Sequence, residues 1–177
     1  MQINDPDGIV VRNYNVGDNF IATFDEAKIV TSMIACSGGS LLHNEELNNL
    51  EESRLKLVQR LYPSIKVSAR PLDYFEKDTP TVVYIDRLKT RNPYVFVALF
   101  NYKDEKVNKE VKTSNFNLKR GIIIRVYDNK VLGISDSIKD TLNPHSSELY
   151  LIIPIPRKPE FLYSDINVTL GRELFFL

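Results

Sequence analysis

The chain has 177 residues, enough for one domain or two small ones, and its 43% apolar and 26% charged content is ordinary for a soluble globular protein. Twenty-three basic residues balance 23 acidic ones, so the basic excess of a general nucleic-acid binder is absent. No apolar run approaches the roughly 20 residues that a membrane span needs.

Asn4-Asp5-Pro6-Asp7 followed by Gly8-Ile9-Val10-Val11 reads as the end of a buried strand, an acidic turn and a short apolar run. Pro6 fixes its own φ, which holds Asp5 and Asp7 in a rigid turn able to present both carboxylates to a ligand. Thr23 and Glu26 stand in capping-box spacing and open a helix. Ala27, Val30 and Ile34 form its stripe, widened by Ile29 and Met33. Gly38, in Ser37-Gly38-Gly39, suits the left-handed position that ends a helix. Leu41-Leu42 reads as a short strand, and His43-Asn44-Glu45-Glu46 as a polar loop. A second helix covers about Glu51 to Leu61, with Leu55, Val58 and Leu61 inward, Asn49 and Glu52 as a weaker capping pair, and Pro63 as its stop. Residues 1–63 therefore read as strand, helix, strand, helix.

After Pro63 the helical period gives way to short β-rich runs: Thr81 to Ile85, Tyr94 to Phe100, Ile122 to Tyr127, Val131 to Ile134 and Glu148 to Ile153. Asp128-Asn129 marks a hairpin. Pro154, Pro156 and Pro159 break the stretch that follows, and Leu174 to Leu177 is a candidate closing strand. The spacing points to a β-sandwich. The predicted fold class is thus α+β: residues 1–64 as two βα units of a larger α/β domain, which the resemblance given below implies to be the end of a (β/α) barrel, and residues 65–177 as an antiparallel β-sandwich. Two parallel strands cannot cover both their faces, and a barrel needs about eight such units. The first segment is incomplete by itself.

The single Cys36 forms no internal disulfide and reads as a small buried hydrophobe. The start of the chain lacks the basic region and apolar core of a secretory signal, so the expected location is cytoplasmic. His43 and His145 are far apart, and no metal site or cofactor follows from the spacing. Asn167-Val168-Thr169 matches a glycosylation sequon.

These residues resemble a known family. The chain is similar to the carboxy-terminal part of a melibiase-type α-galactosidase, a retaining glycoside hydrolase. Asn4-Asp5-Pro6-Asp7 resembles the element at that family's seventh barrel strand. Glu26-Ala27 leading into Ile34-Ala35-Cys36-Ser37-Gly38-Gly39-Ser40-Leu41-Leu42 resembles the helix and eighth strand that follow. Leu50, Arg54-Leu55 and Leu57 to Pro63 resemble the last barrel helix, and Arg70-Pro71-Leu72-Asp73 the crossing into the terminal sandwich. Val97-Ala98-Leu99-Phe100-Asn101-Tyr102 and Pro144-His145-Ser146-Ser147 are similar to recurrent phrases within it.

The resemblance implies a protein that handles an α-galactoside or related sugar. Retaining enzymes use two carboxylates about 5–5.5 Å apart. The family's pair is expected on the fourth and sixth barrel strands, upstream of Asn4, so this chain is expected to hold no catalytic residue. Asp5 and Asp7 match the substrate-binding element. Glu45, Glu46 and Asp73 read as solvated loop charges or caps, His43 as a surface loop histidine, and Tyr94, Phe96, Phe100 and Tyr102 as strand core. Three readings follow: the closing part of a split α-galactosidase, inactive without a polypeptide partner that carries the missing barrel units; a non-catalytic β-sandwich module that binds carbohydrate or protein; and, weakest, an autonomous enzyme with Asp5 and Asp7 as its dyad. Val10, Val11, Leu41 and Leu42 are expected to lack neighbours unless that partner covers them, while residues 68–177 fold alone.

Overall fold

The computed structural model describes residues 8–14, 21–76, 78–158, 160 and 162–172. The Asp5 and Asp7 turn and the Leu174 to Leu177 run lie outside them.

The described chain opens on strand β1 (Gly8–Ile9), which pairs in parallel with β2 (Leu42–His43). Helix α1 (Phe24–Ser37) crosses between them. Its start is the predicted capping box: Glu26 N–H donates to Thr23 Oγ1 at 3.2 Å, and Thr23 N–H donates to Glu26 Oε2 at 2.8 Å. Its end is the predicted glycine, Gly38 at φ +67, where a Cβ would meet the Ser68 nitrogen at 2.4 Å. Beyond it, Ala69 N–H donates to the Cys36 carbonyl, which ties the helix end to the segment leading into the β domain. Helix α2 (Glu52–Gln59) follows β2.

Three local readings need correction. The second strand begins at Leu42, whose side chain is exposed, rather than at Leu41. The expected Asn49–Glu52 capping pair does not form; Glu51 holds the N-cap position without a side-chain bond, and Asn49 donates its amide to Glu46 at 2.6 Å. The inward face of α1 is rotated from the apolar stripe. Ala27 and Ile34 are buried, but so are Lys28, Thr31 and Ser32, while Met33 is exposed.

The remainder is antiparallel β. A six-stranded sheet runs in the order β3 (Arg70–Pro71), β4 (Val82–Asp86), β5 (Val95–Asn101), β10 (Ser146–Pro154), β7 (Gly121–Arg125), β8 (Lys130–Ser135). The β7–β8 turn carries Asn129 at φ 55, consistent with the Asp128-Asn129 hairpin signal. A second sheet pairs β6 (Val107–Lys112) with β9 (Ser137–Leu142).

Both faces of the large sheet are covered. Val95, Val97, Leu99, Ile123, Tyr150 and Ile152 point into the sandwich with Val111, Ile138 and Leu142 of the small sheet. Their alternates Phe96, Ala98, Phe100, Ile124, Leu149 and Leu151 join Ile9, Val11, Ala27, Ile34, Leu57, Val58 and Leu61 from the α/β segment. The period-two alternation sends successive side chains to opposite faces, so β5 is buried at every residue. The molecule is therefore three-layered: helices, six-stranded sheet, two-stranded sheet. Val11 is fully buried against this assembly, where an open face was expected, whereas Leu42 stays exposed.

Candidate functional site

Sites on parallel βα units form where the strands end at their carboxyl side. Here those ends are Val10 to Asn13 after β1 and Asn44-Glu45 after β2. Gly8 lies so close to Asn44 that an added Cβ would fall 1.9 Å from the Asn44 amide nitrogen. Glu45 closes the gap between the two ends. Its Oε1 accepts from the N–H of Val11 at 2.5 Å and of Arg12 at 3.1 Å, and its Oε2 lies 3.3 Å from the Arg12 guanidinium. The Glu45 side chain has no exposed surface. Of the two readings for Glu45, solvated charge or cap, the structure shows a cap. Arg54 of α2 supports the same loop from inside, donating to the carbonyls of Val11 and Ala22. Asn13 donates its amide to Glu51 at 2.5 Å.

Glu45 and Glu51 thus serve as braces, with hydrogen bonds already occupying them. His43 is exposed, as the loop reading has it, yet it is ordered by Tyr62: the rings stack with centroids 5.4 Å apart, and the phenol oxygen lies 2.6 Å from Nε2. Burial raises the Tyr62 pKa, which keeps the phenol protonated and able to donate to that ring nitrogen. Asp73 is buried and accepts from Thr81 N–H, Thr81 Oγ1 and Val82 N–H, which makes it a structural cap at the start of β4. Glu46 accepts from Asn49 at the surface. Cys36 is buried, and burial pushes its thiol up to about 12, so it is inert at neutral pH. Tyr94, Phe96 and Phe100 are core residues. Among the described residues no cluster of three or more histidines, cysteines or carboxylates could hold a metal ion, and no helix is long and apolar enough to cross a membrane. Asn167 of the sequon is fully buried, with Oδ1 accepting from Gly171 N–H and Thr169 Oγ1. A glycan there is incompatible with this fold.

The seam that fixes the α/β segment to the sheet is polar, and the sequence carries little signal of it. Lys28 of α1 pairs with Glu148 of β10 and lies over the Tyr127 ring, 4.8 Å from its centroid. Ser32 Oγ meets Tyr127 Oη at 2.7 Å and Ser147 Oγ at 2.8 Å. Desolvation raises the Glu148 pKa against the opposing pull of Lys28. A helix that buries lysine, threonine and serine gives little apolar signal in the sequence, and the partners of Lys28 and Ser32 lie more than 90 residues away.

No protein-family model and no curated protein sequence matches the chain. Solved structures do. A β-L-arabinopyranosidase from Geobacillus stearothermophilus matches with a TM-score of 0.70 at 18% identity, over 86% of this chain and 37% of that one. The α-galactosidase of Saccharomyces cerevisiae, solved with raffinose, matches at 0.61 and 15% identity, over 86% and 47%. α-Galactosidase I of Mortierella vinacea matches at 0.59 and 12%, over 73% and 36%. The chain spans less than half the length of these structures. Its fold is that of the carboxy-terminal part of a melibiase-type α-galactosidase.

Proposed function

We propose that the chain is the closing portion of an α-galactosidase-like glycoside hydrolase, supplying the last two βα units of a barrel (residues 1–64) and its terminal β-sandwich (residues 65–177). In this reading the catalytic carboxylates reside on barrel units outside the chain, and the chain is inactive until a polypeptide carrying those units completes the barrel. Asp5 and Asp7 line the pocket for an α-galactoside or related sugar. The observation that carries the reading is the isolated parallel pair β1–β2, each strand followed by a helix, docked on a sandwich of the type the sugar hydrolases above possess. Glu45 and Arg54 then hold the barrel mouth in shape.

The test is turnover of a chromogenic α-galactoside. The chain alone is expected to give none. Joined to the first six βα units of a melibiase-type barrel, it is expected to turn the substrate over, and the Asp5→Ala, Asp7→Ala double variant to lose that activity. Turnover by the chain alone, abolished by the double variant, would instead make Asp5 and Asp7 a catalytic dyad.

A second reading has one observation in its favour. Tyr74 and Phe75 meet edge to face at 5.3 Å on the β domain, and Phe75 is 98% exposed. Such a pair suits a non-catalytic module that binds carbohydrate or protein. Retention of the chain on immobilised galactan, lost in Phe75→Ala, would favour it.

A further inference from the structure

A cavity of about 360 Å³ opens between α1, α2 and the sheet, lined by residues that include Phe24, Lys28, Lys56, Arg60, Arg125 and Glu148. It takes no residue from β1 or β2. Its volume falls at the lower end of small-molecule sites.

The charges in its wall do not balance. Arg125 is neutralised by Asp128, which it grips in a fork at 3.0 and 2.6 Å. Lys28 and Glu148 neutralise each other. Two cations remain. Lys56 sits at the rim, and its Glu52 partner is 81% exposed, so solvent screens that pair. Arg60 is half-buried and its hydrogen bonds go to neutral acceptors, the Val126 carbonyl at 2.5 Å and Asn129 Oδ1 at 3.3 Å, while the Asp165 and Asp128 carboxylates act on it without contact. A desolvated guanidinium without a contacting carboxylate is costly, and an anion placed beside it recovers the loss. The same wall holds an acceptor in need of a donor, since Glu148 Oε2 is buried without a hydrogen-bond partner. A hydroxyl would satisfy it. Phe24, 44% exposed, adds a flat apolar surface at the opening.

An anionic group for Arg60 and Lys56, a hydroxyl for Glu148 and an apolar ring face for Phe24 are the features of one ligand class. We propose that this cavity binds an anionic monosaccharide, a sugar ring bearing a phosphate or a carboxylate.

Calorimetric titration of the full chain at low salt tests this, with a galactose phosphate and galacturonate as probes and neutral galactose and inorganic phosphate as controls. At least one anionic sugar is expected to bind, and each control to bind at least about tenfold more weakly. Arg60→Gln is expected to weaken binding about tenfold, as the loss of a charged hydrogen bond does. Lys56→Met is expected to weaken it about threefold, and added salt to weaken it further. Lys56 is exposed, so its variant remains informative if Arg60→Gln fails to fold. The proposal is overturned if neither anionic sugar binds, if galactose or inorganic phosphate binds as tightly, or if Lys56→Met leaves the affinity unchanged. Binding at the Asp5 and Asp7 turn would give that last result, which separates this site from the barrel mouth.

Discussion

The six-stranded sheet and the α/β segment are held by different means. The centre of the sheet is specified by apolar bulk: β5 and β10 are buried on both faces, and their alternate side chains fill two separate cores. The α/β segment shares one of those cores, but its positioning contacts are charged and polar: Lys28 to Glu148, Ser32 to Tyr127 and Ser147, Arg54 to Val11 and Ala22, Glu45 to Val11 and Arg12. Apolar contacts hold many arrangements of similar area, whereas hydrogen bonds hold one. The difference teaches that the sheet carries the stability and that the polar contacts set where the strand ends sit.

If this contrast is right, the largest single loss comes from the sheet. Phe96→Ala is expected to cost about 3–5 kcal/mol by leaving a cavity under the helices, and to shift the denaturation midpoint of the entire chain. A loss confined to the helices would break the comparison. Lys28→Met comes next, at about 3 kcal/mol, because it strands a buried carboxylate. The sharper test is its rescue: Lys28→Met with Glu148→Leu is expected to recover stability to within about 1 kcal/mol of wild type in urea titrations. Failure of the rescue would mean that the pair contributes net energy as well as register. Glu45→Gln is expected to cost about 1–3 kcal/mol locally. Hydrogen exchange at the Val11 and Arg12 amides should speed up while Val97 and Ile123 stay protected.

Smaller effects sit at the surface. Thr23→Ala removes the cap of α1 at about 1 kcal/mol, read from the thermal midpoint. Asp128 is held below its ordinary 3.8, chiefly by hydrogen bonds from Arg125. The stability it contributes is complete above that ordinary value and is lost as the pH falls through the lower folded one. Asp128→Asn should therefore lower stability slightly at neutral pH, leave it unchanged at acid pH where the carboxyl is already protonated, and so flatten the acid limb of the stability curve.

Much of this was legible in the sequence for physical reasons. Thr23 with Glu26 and then Gly38 state where a helix begins and ends through local chemistry, and both ends form as read. Val95 to Phe100 is apolar without interruption because both of its faces are covered. β6 and β9 escaped notice: in Val107–Lys112 the outer positions hold Asn108, Glu110 and Lys112, and Lys109 takes one of the inner ones, so only Val111 is deeply buried. The brace at the candidate site was half legible. Its loop context marks Glu45 as a charge or a cap, but nothing near it in sequence names Val11 as its partner. Lys28 and Arg54 look like solvent-facing helix residues until the carbonyls and carboxylate that receive them are brought close by the fold.

The order of synthesis gives the Lys28–Glu148 contact another meaning. The two residues are 120 positions apart, so at ribosomal rates of about 5–20 residues per second, α1 emerges roughly 6–24 s before the strand it rests on. β10 is also the strand between β5 and β7, so the middle of the sheet stays open over the same interval. During that wait a helix with a lysine, a threonine and a serine on its inner side is less adhesive than one with leucines there. The nascent segment stays hydrated instead of clinging to other chains, and the last central strand to be made both closes the sheet and fastens the first helix.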